Sequence, residues 1–324
     1  MHRWIPVLAA VMAAGCGYTG NPLPPLANIP SKVADLTAIQ RGNRIVARFI
    51  VPRVTTEGMT IKKDLKIDLR IGPAPDPFRE DLWAESAMPV PAGLVEDGVA
   101  TYEIPSAPWT GKQAVLGVRV AGSNGKESAW SNLAVVAVVA PLETPAAVRA
   151  DNTAQGVRLT WQAAGMNFRI FRRSGSADFV GVADAPQPPW TDNTTEFGKT
   201  YVYRIQTIAK LGDNREAESE PSQEVSITPE DKFPPAVPDG LRATAAANSV
   251  ELTWESNTEA DLAGYRVYRA SAGGAFEKIA DVSTLPTYSD HTAEQGKTYQ
   301  YAVSSVDQSG NESARSAAVE ATPE

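Results

Sequence analysis

The chain has 324 residues, 43% of them hydrophobic and 21% charged, a composition that suits folded domains and excludes wholesale disorder. Its formal net charge is −8, so the basic footprint of a free-standing nucleic-acid binder is missing and no nucleic-acid partner is expected. One cysteine, Cys16, and two histidines, His2 and His291, exclude an intrachain disulfide framework, Cys/His zinc sites and a Cys–His dyad in the mature chain.

Residues 1–15 carry Arg3 and then an apolar run from Trp4 to Ala14. That run is too short to cross ~30 Å of hydrocarbon as a helix, so it predicts a cleaved export signal rather than a membrane anchor. Cys16 follows Ala13-Ala14-Gly15. The arrangement resembles the lipobox of bacterial lipoproteins, with Ala13 where that family carries Leu. The resemblance implies that Cys16 is acylated as the first mature residue and that the lipid holds the protein to a membrane. Gly17, in place of Asp, resembles the sorting pattern for the outer rather than the inner membrane of Gram-negative cells. The expected location is therefore the cell envelope. Residues 16–31 contain Pro22, Pro24, Pro25 and Pro30 and predict an extended tether. At ~3.1 Å per residue it reaches roughly 45 Å.

The rest of the chain repeats one pattern. In residues 141–230, Val157–Trp161, Phe168–Arg172 and Gly198–Ile205 match Val250–Trp254, Tyr265–Arg269 and Gly296–Val303 of residues 231–324. Residues 32–140 hold a diverged copy, with Ile45–Phe49, Leu65–Ile71 and Gly111-Lys112 followed by Val118–Gly125. Each segment alternates apolar and polar residues, the signature of a strand with one buried face. Turn-rich stretches such as Asp307-Gln-Ser-Gly310-Asn311 separate them, and proline-rich joints divide the copies. No window holds a helical period over ten residues.

Units of this length, with Trp on the second strand and Tyr opening the sixth, resemble fibronectin type III domains. The resemblance implies an all-β chain of three tandem immunoglobulin-like antiparallel β-sandwiches at 32–140, 141–230 and 231–324. Trp161 and Trp254 then fill the space between sheets, each burying ~150–250 Å². Tyr201 and Tyr299 take the family's tyrosine-corner position, the hydroxyl bonded back to nearby backbone. The first copy departs at both places, with Phe49 for Trp and Ala114 for Tyr, and must close its core differently.

Little here can run a reaction. His291 aligns with Asn193 of the sister copy, which marks a turn position rather than an acid–base residue. Neither an enzyme nor a cofactor is expected. Asn257, Glu259 and Asp261, with Glu230 and Asp231, offer oxygens to calcium, but the spacing is not an EF-hand's and Asp261 reads as a turn residue. No metal is expected. Exposed aromatics are the better lead, since binding modules use rigid aromatic anchors. Trp83 and Trp109 lie in the long Gly72–Gly111 segment, and Trp130 lies in Glu127-Ser-Ala-Trp130. The three form the expected binding surface, although Trp130 could instead stack on Arg119. The sequence thus predicts a lipid-anchored, non-catalytic envelope protein that binds or presents a protein or polysaccharide partner. A purely structural spacer, or an accessory subunit of an envelope complex, is the alternative, and burial of Trp83 and Trp109 would favour the spacer.

Overall fold

A computed structural model describes residues 27–165, 167–212 and 215–324. The expected export signal, Cys16 and most of the tether lie outside them. The described chain is built from antiparallel strands, with one short helix and one 3₁₀ turn. By backbone proximity it divides into two compact units, one running to Pro141 together with Lys210–Ala217, the other Leu142–Ala209 with Glu218–Glu324. The first holds the diverged sandwich and the second holds the two similar ones.

The first sandwich consists of β1 (Thr37–Arg41), β2 (Arg44–Ile50), β3 (Lys66–Pro73), helix α1 (Glu80–Ser86), β4 (Met88–Pro89), β5 (Leu94–Glu96), β6 (Val99–Pro105), β7 (Gln113–Ala121) and β8 (Ala134–Ala137). Its sheets run β1-β2-β6-β5 and β4-β3-β7-β8. On β2 the period of two buries Ile45, Ala47 and Phe49 and turns Arg44, Val46 and Arg48 outward. Asp97 and Gly98, at φ 49° and 82°, close the two-residue β5–β6 hairpin. Only left-handed backbone at both positions matches the twist of the strands there.

Strand polarity gathers four segments at the pole where the described chain begins. Ser31 N donates to Val54 O at 3.0 Å, Thr56 N to Ile29 O at 2.9 Å and Val51 N to Gly98 O at 2.9 Å. Lys126 Nζ donates to Ala27 O at 2.7 Å. Residues 27–31 are therefore hydrogen-bonded into the sandwich rather than part of the extended tether expected through residue 31. The Ser31 amide finds a carbonyl partner on the β2–β3 loop and the Ile29 carbonyl an amide donor there, which outweighs the preference of Pro30 for free extended chain.

The second sandwich consists of β9 (Ala146–Thr153), β10 (Gly156–Gln162), β11 (Phe168–Ser174), β12 (Val180–Ala185), β13 (Trp190–Asp192), β14 (Tyr201–Lys210), β15 (Glu216–Glu218) and β16 (Val225–Ile227). One sheet runs β13-β10-β9, and the other includes β12-β11-β14 with β16 on β14. The third consists of β17 (Arg242–Ala246), β18 (Ser249–Thr253), β19 (Leu262–Ser271), β20 (Glu277–Val282), β21 (Thr287–Asp290), β22 (Tyr299–Asp307) and β23 (Val319–Ala321), in sheets β17-β18-β21 and β20-β19-β22-β23.

The cores follow from the aromatic residues. Trp161 meets Phe168 edge-on at 5.3 Å, and Trp254 meets Tyr265 in the same way at 5.1 Å. The Tyr201 hydroxyl accepts the Glu196 N–H at 3.0 Å, and Tyr299 accepts that of Glu294 at 3.4 Å. In the first sandwich Phe49 stacks on Tyr102 at 6.0 Å. Trp109, in the 3₁₀ turn Ala107–Trp109, packs into the same cluster as Ala114 and supplies the aromatic volume that Ala114 lacks.

Candidate functional site

The expected aromatic surface does not form. Trp83 is fully buried, at 0% exposure, and Trp109 is 7% exposed. The reason for Trp83 is written into the strands below it. A Cβ at Gly117 would sit 2.6 Å from the Trp83 ring and one at Gly72 would sit 3.0 Å from its Nε1. Two glycines therefore hollow the outer face of β3 and β7, and α1 lays the indole into the hollow beside Ala87, Val115 and Leu133. Arg70 pins the helix by donating to Ala84 O at 2.8 Å. Trp109 is part of the core proper. Neither side chain can serve as a binding anchor.

Trp130 alone of the three is half-buried, edge-on to Trp83 at 5.3 Å. The Arg119 guanidinium lies 4.8 Å from its ring centre and that of Arg70 5.6 Å. Asp68 accepts from Arg119 Nε at 2.8 Å and from Arg70 Nε at 3.1 Å, while Glu127 pairs with Arg119 at 2.6 Å. Partial burial pushes the Asp68 carboxyl up, but the bonds from Arg70 and Arg119 outweigh it and hold the group below the usual carboxylate range. An open groove of about 350 Å³ runs past Lys66, Asp68, Arg70, Pro89, Arg119 and Glu127. Its arginines and acids are paired with one another, so it presents a stacked polar face rather than a reactive one.

Two further constellations were not read from the sequence as sites. In the second sandwich, buried Asp192 accepts from Tyr203 Oη at 2.9 Å, Arg172 at 2.6 Å, Thr194 Oγ1 at 2.7 Å and Thr194 N at 3.1 Å. In the third, Asp290 accepts from Tyr301 at 2.9 Å, Arg269 at 2.8 Å, Thr292 Oγ1 at 2.7 Å and Thr292 N at 2.9 Å. Burial pushes both carboxyls up, yet the bonds prevail and hold them below the ordinary aspartate value. Burial and the facing carboxylate push Tyr203 and Tyr301 upward, so both phenols stay protonated. Four donors saturate each carboxylate, which leaves neither free to take a proton from a substrate. The signal was present in the sequence as the same Asp-x-Thr and Tyr-x-Tyr spacing in both copies. His291 is exposed beside this network.

The acids considered for a metal are only partly assembled. Asp231, Asp261 and Asp307 bring carboxylate oxygens within 4.8 Å of one another, with Asp307 buried. Asp307 comes from the Asp307–Asn311 turn, which the sequence marked only as a turn. Asn311 knits the group: its backbone N–H and side-chain amide each donate to Asp307 at 2.8 Å, and the amide reaches Asp231 Oδ1 at 3.4 Å. Ser309 donates to Asp231 at 2.7 Å. Oxygen donors of this kind suit a hard cation such as calcium. Glu259 lies outside the group and caps the Ala236 N–H at 2.6 Å.

No model of a known protein family matches the chain. It is 31% identical over 223 residues to Exoglucanase B of Cellulomonas fimi, covering 63% of this chain and 20% of that protein. It is 40% identical over 90 residues to an amylopullulanase of Thermoanaerobacterium saccharolyticum, covering 28% of this chain and 7% of that protein. The chain thus spans a fifth or less of these curated relatives. Among solved structures, a Fn3-like protein from Clostridium thermocellum is 32% identical, with 28% of this chain and 97% of that one covered at a TM-score of 0.25.

Proposed function

We propose that this chain is an exported lipoprotein, acylated at Cys16, whose fibronectin type III-like sandwiches act as a non-catalytic spacer in the cell envelope. One observation carries the choice of spacer over aromatic binding module: Trp83 and Trp109 are both buried, at 0% and 7% exposure. The polar groups most strongly placed by the fold, Asp192 and Asp290, are saturated by internal donors, which supports a structural role for them. Acyl chains at ~0.8 kcal/mol per buried methylene would fix the protein to a bilayer. Accessory service within an envelope complex fits the same reading.

A second reading, weak glycan contact, draws on the relatives, which are named as an exoglucanase and amylopullulanases. Affinity electrophoresis through gels containing soluble starch or a β-glucan separates the two. Unretarded migration supports the spacer, and retardation that scales with polymer concentration supports the glycan reading. The anchor is tested by mass spectrometry of the mature N-terminus. The expected result is an acylated Cys16 with residues 1–15 removed, and release into the soluble fraction for Cys16→Ser. An N-terminus that keeps residues 1–15 would overturn it.

A further inference from the structure

We propose that the second and third sandwiches are locked together through residues 228–236 and move as one rigid body, with no working hinge between them. The lock goes beyond the spacer reading and holds whether or not Cys16 is acylated.

Tandem domains joined by a short linker ordinarily move relative to one another. This joint has no slack for such motion. Both sandwiches belong to one compact unit, and the chain that passes between them is fastened on each side. To the second sandwich, the Thr200 and Thr228 hydroxyls share a hydrogen bond of 2.7 Å, Gly198 N donates to Pro229 O at 2.7 Å, and Asn152 Nδ2 donates to Glu230 O at 2.6 Å. To the third, Asn311 Nδ2 donates to Asp231 O at 3.2 Å, Ser309 Oγ to Asp231 Oδ2 at 2.7 Å, and Ser305 Oγ to Ala236 O at 2.7 Å.

The last carbonyl held by the second sandwich and the first held by the third belong to adjacent residues, Glu230 and Asp231. Peptide units are planar, so the bond to Glu230 O fixes the plane before the Asp231 Cα, and the bond to Asp231 O fixes the plane after it. Only φ and ψ of Asp231 remain as soft coordinates. Its carboxylate restrains them, because it accepts from Ser309, from Asn311 Nδ2 at 3.4 Å and from the Phe233 N–H at 3.4 Å. Turning either dihedral therefore breaks a bond to one sandwich or the other. The carboxylates of Asp261 and Asp307 lie within 4.8 Å and repel that of Asp231, and the Ser309 and Asn311 donors offset the repulsion.

Asn152 is explained by the joint and not by the sandwich that carries it. Its Oδ1 is buried and has no hydrogen-bond partner among the described residues, an arrangement that costs free energy. Asn152 lies opposite Val157, and the residue in the same register of the third sandwich, opposite Val250, is Ala245. The β-sandwich does not require an amide there; the bond to Glu230 O does.

The test uses the full chain as Cys16→Ser, with spin labels at Arg158→Cys and Glu277→Cys, both exposed positions, one on each sandwich. Double electron–electron resonance should give a single narrow distance distribution. Asn152→Ala/Ser309→Ala, which removes one fastening from each side, should broaden it while the circular dichroism melt of the chain stays in place. Trypsin supplies a second readout, since Lys232 is exposed but its backbone lies within the lock. Cleavage after Lys232 should be on the order of tenfold faster in the double variant, the change expected when about one hydrogen bond no longer opposes local opening. The proposal is overturned if the parent distribution is already as broad as that of the variant. It is equally overturned if the variant stays narrow and is cut at the parental rate. Either result would leave the acyl anchor untouched, because the measurement is made on a chain that lacks it.

Discussion

In the second and third sandwiches a single tryptophan fills the space between sheets, a tyrosine closes the corner, and a buried aspartate ties strand to strand through Tyr, Arg and Thr. In the first, Phe49 and Tyr102 share the central volume, Trp109 enters from a 3₁₀ turn, and no counterpart of the aspartate network appears among its buried polar residues. The two solutions rest on the same alternation of buried and exposed residues along β2, β10 and β18. Core volume can therefore be redistributed among elements, provided each strand keeps one face apolar. The polar network is an addition to that scheme rather than a condition of it.

The sharpest way to break this comparison is to delete an aromatic residue from each solution. Trp254→Ala and Trp109→Ala should each cost about 3–5 kcal/mol, since both empty a filled core site. Denaturant unfolding followed by circular dichroism measures it. If Trp109→Ala loses less than about 1 kcal/mol, the 3₁₀ turn is not the replacement for the missing corner tyrosine, and the first sandwich must be closed by something else.

The aspartate network gives the next largest difference. Asp290→Asn keeps the shape but removes the charge that faces Arg269 and Tyr301, at an expected cost of about 2–4 kcal/mol. The pH dependence follows from the direction of the shift. Because Asp192 and Asp290 are held below the ordinary aspartate value in the folded chain, their contribution is complete above the unfolded carboxylate range and fades as pH falls from about 4. The stability of the parent should drop across that window, and that of Asp290→Asn should drop less steeply. Calorimetry at stepped pH decides it. Parallel curves for the two proteins would mean that Asp290 does not carry the acid sensitivity.

What the sequence revealed, and what it hid, divides along the same line. The repeats, the alternating strands, and Trp161, Trp254, Tyr201 and Tyr299 were legible because each is a local pattern repeated at a fixed spacing. The fate of Trp83 was not. It depends on Gly72 and Gly117, which are far from it in sequence and look like ordinary strand glycines until the helix is laid over them. Asp307 was hidden for a related reason: the sequence marks it only as the opening of a turn, while its proximity to Asp231 and Asp261 joins the end of β22 to two segments far from it in the chain. The binding surface proposed from aromatics failed because hydrophobic size alone does not say which face of a strand, or which side of a helix, a residue will take.

The smallest effect sharpens the contrast between the two most similar sandwiches. Ala147, at the start of β9, holds φ 51°, and Gly240, at the corresponding place before β17, holds φ 65°. The backbone bends alike in both, but an alanine in the left-handed region is strained by roughly 1–2 kcal/mol through the clash of its Cβ with the carbonyl, whereas glycine is not. Part of that relief is offset by the greater freedom of glycine in the unfolded chain, so Ala147→Gly should raise stability by about 0.5–1 kcal/mol. The reverse change, Gly240→Ala, should destabilise by more, because its Cβ would also lie 2.9 Å from Cγ of Glu255. Opposite signs for this pair, read from shifts in Tm, follow only if the left-handed turn is intrinsic to the fold at both positions; equal signs would mean that the backbone relaxes at one of them and that the second sandwich opens with a different bend from the third.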